Sequence, residues 1–354
     1  MHLTEKSFEW KRVKYMKLSA LFSNHMVFQA GKPIRIFGNG KGKITAKIAG
    51  VYGEMISDSE RFCLELPSLP YGGPYTLSIS LNNQNLEFND VYIGEVLLLA
   101  GQSNIEFTLG ESSYPEQNIK SNSMFRCFGF ERIERENHFL PSDGWVVCDD
   151  KNVKFWSAIG YHLATSVNTK KGVAVGAFFC YHGTSVIESW MPESLVREER
   201  FYLPIEEKNY DNGFHRYAKI HMPWNVYGML YNHMQQNIVP FSVGNVVWYQ
   251  GESNSGPGEW KKYTDLLEAL ILCWRKDFND SKLPFIVVQI SDFDERTDDG
   301  WKGIQKAQAE IVSKELTDVF LVKSADVCES NNIHPPTKTK LSERVFNNLK
   351  LAQN

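Results

Sequence analysis

No apolar run in this chain approaches the roughly 20 residues that a membrane-spanning helix needs, so no membrane partner is expected. Charge of one sign is also lacking. Thirty-eight Lys+Arg stand against 42 Asp+Glu, a formal net charge of −4, and no stretch is strongly basic. Nucleic acid therefore has no electrostatic footprint to bind. Cysteine is sparse: Cys63, Cys127, Cys148, Cys180, Cys273 and Cys328 are scattered, with no C-x-x-C pair and no zinc spacing. Neither a disulfide framework nor a zinc site is expected, and Cys180 and Cys273 read as buried thiols in a reducing compartment. The opening "MHLTEKSFEWKRVKYMKLSALF" has no apolar signal core. The chain thus reads as cytoplasmic, or as one whose targeting segment has been removed. Internal repeats, low-complexity segments and a Gly-x-Ser-x-Gly elbow are missing too, and the last absence disfavours a standard α/β-hydrolase.

What is present is ordinary in amount and informative in order. At 354 residues and 42% hydrophobic content the chain can bury a large core, and two domains are expected. Aromatics at 13% suit a protein that handles sugars, although a core role explains most of them equally well. Residues 1–93 read as a small N-terminal β-sandwich, because short β-branched and aromatic runs are cut by Gly-Lys-Pro, Gly-Asn-Gly and Tyr-Gly-Gly-Pro turns. Residues 94–354 read as a second domain in which apolar runs of strand length alternate with helical patterns. Val96–Ala100, Val173–Cys180, Val243–Tyr249, Pro284–Ile290 and Val319–Lys323 are the expected strands. Leu266, Leu267, Leu270, Ile271 and Trp274 make the apolar stripe of a helix over Tyr263–Phe278. Further helices are expected around Ile304, Ala307 and Ile311, and after Pro336 around Leu341, Val345 and Leu349. This is α/β alternation, a parallel sheet with helices on both faces. Ser112 to Val153 reads as a polar, irregular loop.

Ligands of open α/β sheets bind outside the carboxyl ends of the strands. Polar clusters follow three of the expected strands: Gly101-Gln102-Ser103-Asn104, His182-Gly183-Thr184-Ser185 and Gln250-Gly251-Glu252-Ser253-Asn254. Ile333-His334-Pro335 stands near the end of the chain. These parts meet the needs of acyl transfer. A serine hydroxyl requires an adjacent base, most often histidine, and the oxyanion requires fixed donors. Ser103 and His334 are the nucleophile and base in this reading. The N–H groups of Ser103 and Gly183 and an amide from Gln250 or Asn254 are the oxyanion donors. Each piece has a plainer reading beside it. Gly-x-Ser-Asn makes an ordinary turn, His334 can start a helix, and Gly-Thr-Ser and Glu252 can be caps.

Several blocks resemble the SGNH-hydrolase superfamily, in the branch that contains the sialate O-acetylesterases. "GQSNIEF" is similar to its serine block, "HGTSVIESWM" to its Gly-Gly-Thr block, "WYQGESN" to its third block and "IHPPTK" to its histidine block. "LFSNHMVFQAGKPIRIFGNG" and "GGPYTLSI" resemble its N-terminal β domain, so the likeness runs over roughly residues 15 to 350. The resemblance implies a flavodoxin-like sheet and an esterase that removes acetyl groups from sugar hydroxyls, with 9-O-acetyl sialic acid as the expected substrate. Acetylated xylan is the alternative, and a non-catalytic carbohydrate-binding relative a second. It implies no metal and no organic cofactor, and leaves the oligomeric state open. Ser103, His334 and Gly183 carry over as site residues, as do Gln250, Glu252 and Asn254, with Gln102 and Asn104 in support.

Two departures matter. The first glycine of the second block is His182 here; it either narrows the pocket or is a partly exposed loop residue. The acid that many relatives carry just before the histidine is replaced by Asn331 and Asn332. A neutral amide does not stabilise an imidazolium as a carboxylate does. Either a Ser–His dyad works alone or another acid serves, with Asp326 and Glu329 the nearest. The acidic stretch 291–301 reads as a solvated loop or a ligand contact, and Arg275 as a structural ion-pair partner. Cys180 is a remote alternative nucleophile.

Overall fold

The computed structural model describes residues 17–82, 84–130, 144–201 and 222–353. The early β segments are β1 (Lys17–Leu18), β2 (Val27–Gln29), β3 (Ile34–Asn39), β4 (Gly42–Ile48), β5 (Val51–Ser57), β6 (Arg61–Leu66) and β7 (Gly72–Leu81). β1, β3 and β6 form one small antiparallel sheet, and β4 pairs with β5 and β7 in another. Residues alternate between buried and exposed along β4 and β6, as half-buried strands must. Tyr-Gly-Gly-Pro is not a turn between strands. β7 begins at Gly72, and its register against the next strand shifts between Gly72 and Tyr75. Gly73 has φ +127°, and a Cβ there would lie 2.7 Å from the Tyr92 ring, so only glycine fits this irregularity.

β8 (Gln84–Gly101) joins the two halves of the molecule. Its first part pairs antiparallel with β7, and its second runs parallel between β11 (Val175–Tyr181) and β12 (Asn245–Tyr249). β13 (Phe285–Val288) and β14 (Val319–Val322) continue the sheet beyond β12. β9 (Asn122–Gly129) lies parallel on the outer side of β11, with β10 (Val146–Cys148) antiparallel at the edge. With β9 and β10 set aside, the order β11-β8-β12-β13-β14 is the 2-1-3-4-5 order of a doubly wound sheet. Every residue of β11, β12 and β13 is buried, so both faces of the sheet are covered. The result is a mixed α/β fold built on a large mixed sheet.

Four of the five expected strands lie within a few residues of the observed ones, while Val96–Ala100 is only the last part of β8, which starts at Gln84. The region 112–153 is a correction: it holds β9 and β10, and residues 131–143 lie outside the described residues. Arg126 interrupts the apolar pattern of β9. It is buried nonetheless, with its guanidinium over the Tyr92 ring and paired with Asp90. A helix absent from the sequence reading, α2 (Ala158–Lys171), follows a one-turn α1 (Ser103–Glu106) in chain order. Ser157 caps α2 by accepting from the Gly160 N–H, and Gly172 closes it in the left-handed conformation. The periodic stripes are found in α3 (Tyr263–Asp277), α4 (Asp299–Glu310) and α5 (Thr339–Phe346). Leu349 falls beyond the end of α5. The five stripe residues of α3 are fully buried, each contributing about 1.5–3 kcal/mol. Trp274 packs edge-on to Trp190 and Trp248, which ties α3 to β12 and to the loop after β11.

Arg275 forms no ion pair with a described residue. Its guanidinium donates to the carbonyls of Leu283 and Thr317. In the acidic stretch, Asp298 caps α4 through the N–H groups of Gly300 and Trp301, and Asp292 pairs with Lys302. Among the described residues no helix is long and apolar enough to cross a membrane.

Candidate functional site

The switch point of the doubly wound order lies between β8 and β12, and the chemistry-bearing residues gather outside it. β8 ends on Gly101, whose φ is +135°. A Cβ there would lie 2.1 Å from the Tyr249 carbonyl oxygen, so glycine alone lets the two strand ends close up. The chain then turns into α1, with Ser103 as its first residue. The Ser103 N–H is therefore one of the amides that a helical turn leaves unbonded from within.

The loop before α5 returns to this point. His334 Nε2 lies 2.7 Å from Ser103 Oγ, although 231 positions separate them in the chain. Burial lowers the pKa of His334 and the Lys338 ammonium lowers it further, while Glu111 and Glu106 act in the opposite direction. The imidazole is thus held neutral at pH 7, the state a general base needs. Phe107 packs near the ring.

No carboxylate hydrogen-bonds the imidazole among the described residues. Asp326 is removed from consideration by its double contact with Arg344, 2.6 Å at each oxygen. Glu329 is bound to the backbone N–H and hydroxyl of Thr337. Asn332 accepts from the His334 backbone N–H at 2.8 Å, so it fixes the loop and leaves the ring alone.

The second block lies beside Ser103. The Gly183 N–H donates to Glu106 Oε2 at 2.9 Å. Glu106 is a residue that the sequence reading did not single out, although it lies inside the serine block. Thr184 is held at φ +60°, an uncommon state for a β-branched residue. His182 is fully buried and stacked on Trp224 with ring centroids 4.6 Å apart, so the exposed-loop reading is corrected. The block does not cap a helix; Asn225 bonds to the Thr184 carbonyl and the Val186 N–H instead.

The third block is turned inward. The Gln250 side-chain amide donates to Gln102 Oε1, the Ser185 carbonyl and Asn254 Oδ1. Asn254 Nδ2 donates to Glu188, and its Oδ1 also accepts from the Ile187 N–H. All four of these side chains are buried, and each is hydrogen-bonded inside the protein. The structure therefore does not aim the amides of Gln250 or Asn254 at Ser103. Gln102 Oε1 also accepts from the N–H groups of Gly251 and Ser253, which locks the first block to the third.

Under Ser103 lies a cluster the sequence reading saw only in part. Asn104 Nδ2 donates to Glu252 Oε1 at 2.6 Å and to the Ile333 carbonyl at 2.9 Å, while Lys338 Nζ donates to Asn104 Oδ1 at 2.7 Å. Burial raises the Glu252 carboxyl and brings the Lys338 ammonium down to about 8. Cys180 is fully buried within β11, and burial pushes its thiol up, so it is not an available nucleophile.

The family described as carbohydrate esterase, sialic acid-specific acetylesterase matches residues 93–348, more than half the chain. The rat sialate O-acetylesterase is 22% identical over 394 residues, covering 93% of this chain and 72% of the relative. The human sialate O-acetylesterase is 23% identical over 380 residues, covering 93% and 69%. A carbohydrate acetylesterase from Xanthomonas citri superposes with a TM-score of 0.78 at 25% identity, covering 94% of this chain and 74% of that one. With a serine and a histidine joined at the switch point of a doubly wound sheet, and with this likeness along most of its length, the chain belongs to the sialic acid-specific acetylesterase family of carbohydrate esterases and is an ester hydrolase.

Proposed function

We propose that this esterase removes acetyl groups from sugar hydroxyls through an acetyl-serine intermediate, with Ser103 as nucleophile and His334 as general base. The observation that carries the reading is the 2.7 Å approach of His334 Nε2 to Ser103 Oγ. With the ring proton on Nδ1, the Ser103 hydroxyl donates to Nε2. As Oγ bonds to the acetyl carbon, that proton moves to the imidazole. The ester C–O bond then breaks and the sugar oxygen takes the proton from Nε2. Water repeats the sequence on the acetyl-serine and releases acetate.

The oxyanion rests on the N–H groups of Ser103 and Gly183, each such donor being worth about 3 kcal/mol. Glu106 leaves the Gly183 N–H as the substrate carbonyl arrives. The substrate most in keeping with the family is 9-O-acetyl sialic acid, and acetylated xylan is the competing class. The fold reading that goes with this function is an SGNH-type sheet over 94–354, preceded by a small β-sandwich over 1–93.

A fluorophosphonate probe should label Ser103, and Ser103→Ala should abolish turnover of p-nitrophenyl acetate while leaving the fold intact. A folded protein that is not labelled, or a Ser103→Ala variant that still turns over, removes the assignment. Rates on O-acetylated sialic acid and on acetylated xylan decide the substrate.

A further inference from the structure

Among the described residues His334 has no carboxylate to hold it, yet its ring meets Ser103 within hydrogen-bonding distance. What holds it lies one residue away on each side. Asn104 is the neighbour of Ser103, Ile333 is the neighbour of His334, and the Asn104 amide joins them at 2.9 Å. An amide can bind in two orientations, and here two buried charges select one. The Lys338 ammonium faces the amide oxygen, and the Glu252 carboxylate faces the amide nitrogen. A flipped amide would set N–H against the ammonium and oxygen against both the carboxylate and the Ile333 carbonyl. In surroundings of low dielectric that arrangement is strongly unfavourable.

These charges are poorly explained by stability. Lys338 is 1% exposed and Glu252 2%, with Asn104 at 1% between them. One carboxylate oxygen of Glu252 has no hydrogen-bond partner among the described residues. The Lys338 ammonium makes a single hydrogen bond among the described residues and otherwise lies over the rings of Phe107 and Tyr249, 5.0 and 5.7 Å from their centroids. Burying two charged groups in this way, bridged only through the Asn104 amide, is costly, and apolar residues of similar volume often replace buried charges with no loss of stability.

We propose that Lys338 and Glu252 are positioning residues that act through Asn104, fixing the amide that holds the His334 loop in register with Ser103. They supply the alignment that an acid partner of the histidine would otherwise give. The inference rests on Ser103 and His334 being the reacting pair.

The test is the double variant Lys338→Met with Glu252→Gln, which removes both charges and keeps an acceptor for the Asn104 amide. Its melting temperature should stay within about 3 °C of the parent or rise. Its kcat on p-nitrophenyl acetate should fall about 10- to 100-fold, because a reacting group has lost its placement, with KM within about twofold. An unchanged kcat overturns the proposal, and so does a melting temperature that falls in step with activity, since the charges would then serve the fold. If the double variant does not fold, Glu252→Gln alone carries the test. A kcat loss of about threefold or more at unchanged melting temperature supports positioning, and an unchanged kcat overturns it. Ser103→Ala assayed alongside separates the two readings: if it remains active, the reacting pair is wrong; if it is inactive while the charge variants match the parent, only this inference fails.

Discussion

The two ends of β8 belong to one strand and follow different rules. From Gln84 to Tyr92 most residues keep some exposure, whereas from Ile93 to Gly101 every residue is buried. The first end is paired antiparallel with β7, and the second is flanked by parallel strands on both sides. A strand covered on both faces cannot alternate, so its sequence becomes an apolar run. The comparison teaches where function can sit. The exposed end meets solvent, while the buried end, flanked by β11 and β12, delivers Gly101, Gln102 and Ser103 to one place.

Four experiments test how far the two ends of β8 differ. The largest effect is expected just past the buried end. His334→Ala should lower p-nitrophenyl acetate turnover by on the order of 10³-fold or more with an unchanged circular dichroism spectrum. Turnover within tenfold of the parent would end the role of His334.

Next comes one substitution made at both ends of the strand. Leu98 is 0% exposed and Leu86 38%. Leu98→Ala should destabilise by about 2–5 kcal/mol and Leu86→Ala by under about 1 kcal/mol, read from urea midpoints. Equal losses would mean that the two ends are not differently packed.

Asn254→Ala should come third. It strips a buried acceptor from the Ile187 N–H and the Gln250 amide, and should cost about 1–3 kcal/mol in the same urea assay. If it instead leaves stability intact and removes only kcat, the third block acts on substrate after all.

The smallest effect concerns pH. His334 must be neutral to act, so activity on the acid side is lost as it takes a proton. Its folded pKa lies below the ordinary value of about 6.5, first through burial and then through Lys338. The acid limb should therefore fall below that pH. Glu111 works in the raising direction, so Glu111→Gln should move the acid limb of kcat/KM to lower pH. A shift upward, or none, would show that this carboxylate does not reach the imidazole.

Much of the sheet was legible because burial on both faces leaves a one-dimensional signature, as in Val246 to Tyr249. β9 was not, because Arg126 breaks the run and is accommodated only by Tyr92 and Asp90, residues of another strand. α2 was not, because Tyr161 and His162 are polar in sequence yet buried in place. At the site, Ser103 and His334 were legible as polar residues at element ends. Lys338 was not, since lysine is rarely fully buried and nothing local marks this one as an exception. The inward turn of Gln250 and Asn254 was equally hidden, because their partners Gln102, Ser185 and Glu188 come from two other segments of the chain.

The succession of strands and helices along the chain, the period of α3 and the strand-end placement of Ser103, Gly183 and the third block follow from the sequence by itself, because apolar runs and helical period are local properties. The meeting of Ser103 with His334, the Glu106 carboxylate on the Gly183 amide and the buried Lys338–Asn104–Glu252 chain were decided only by the tertiary structure. Hydrogen bonds and charges act over a few ångströms in space, and the distance along the chain between their partners carries no trace of them.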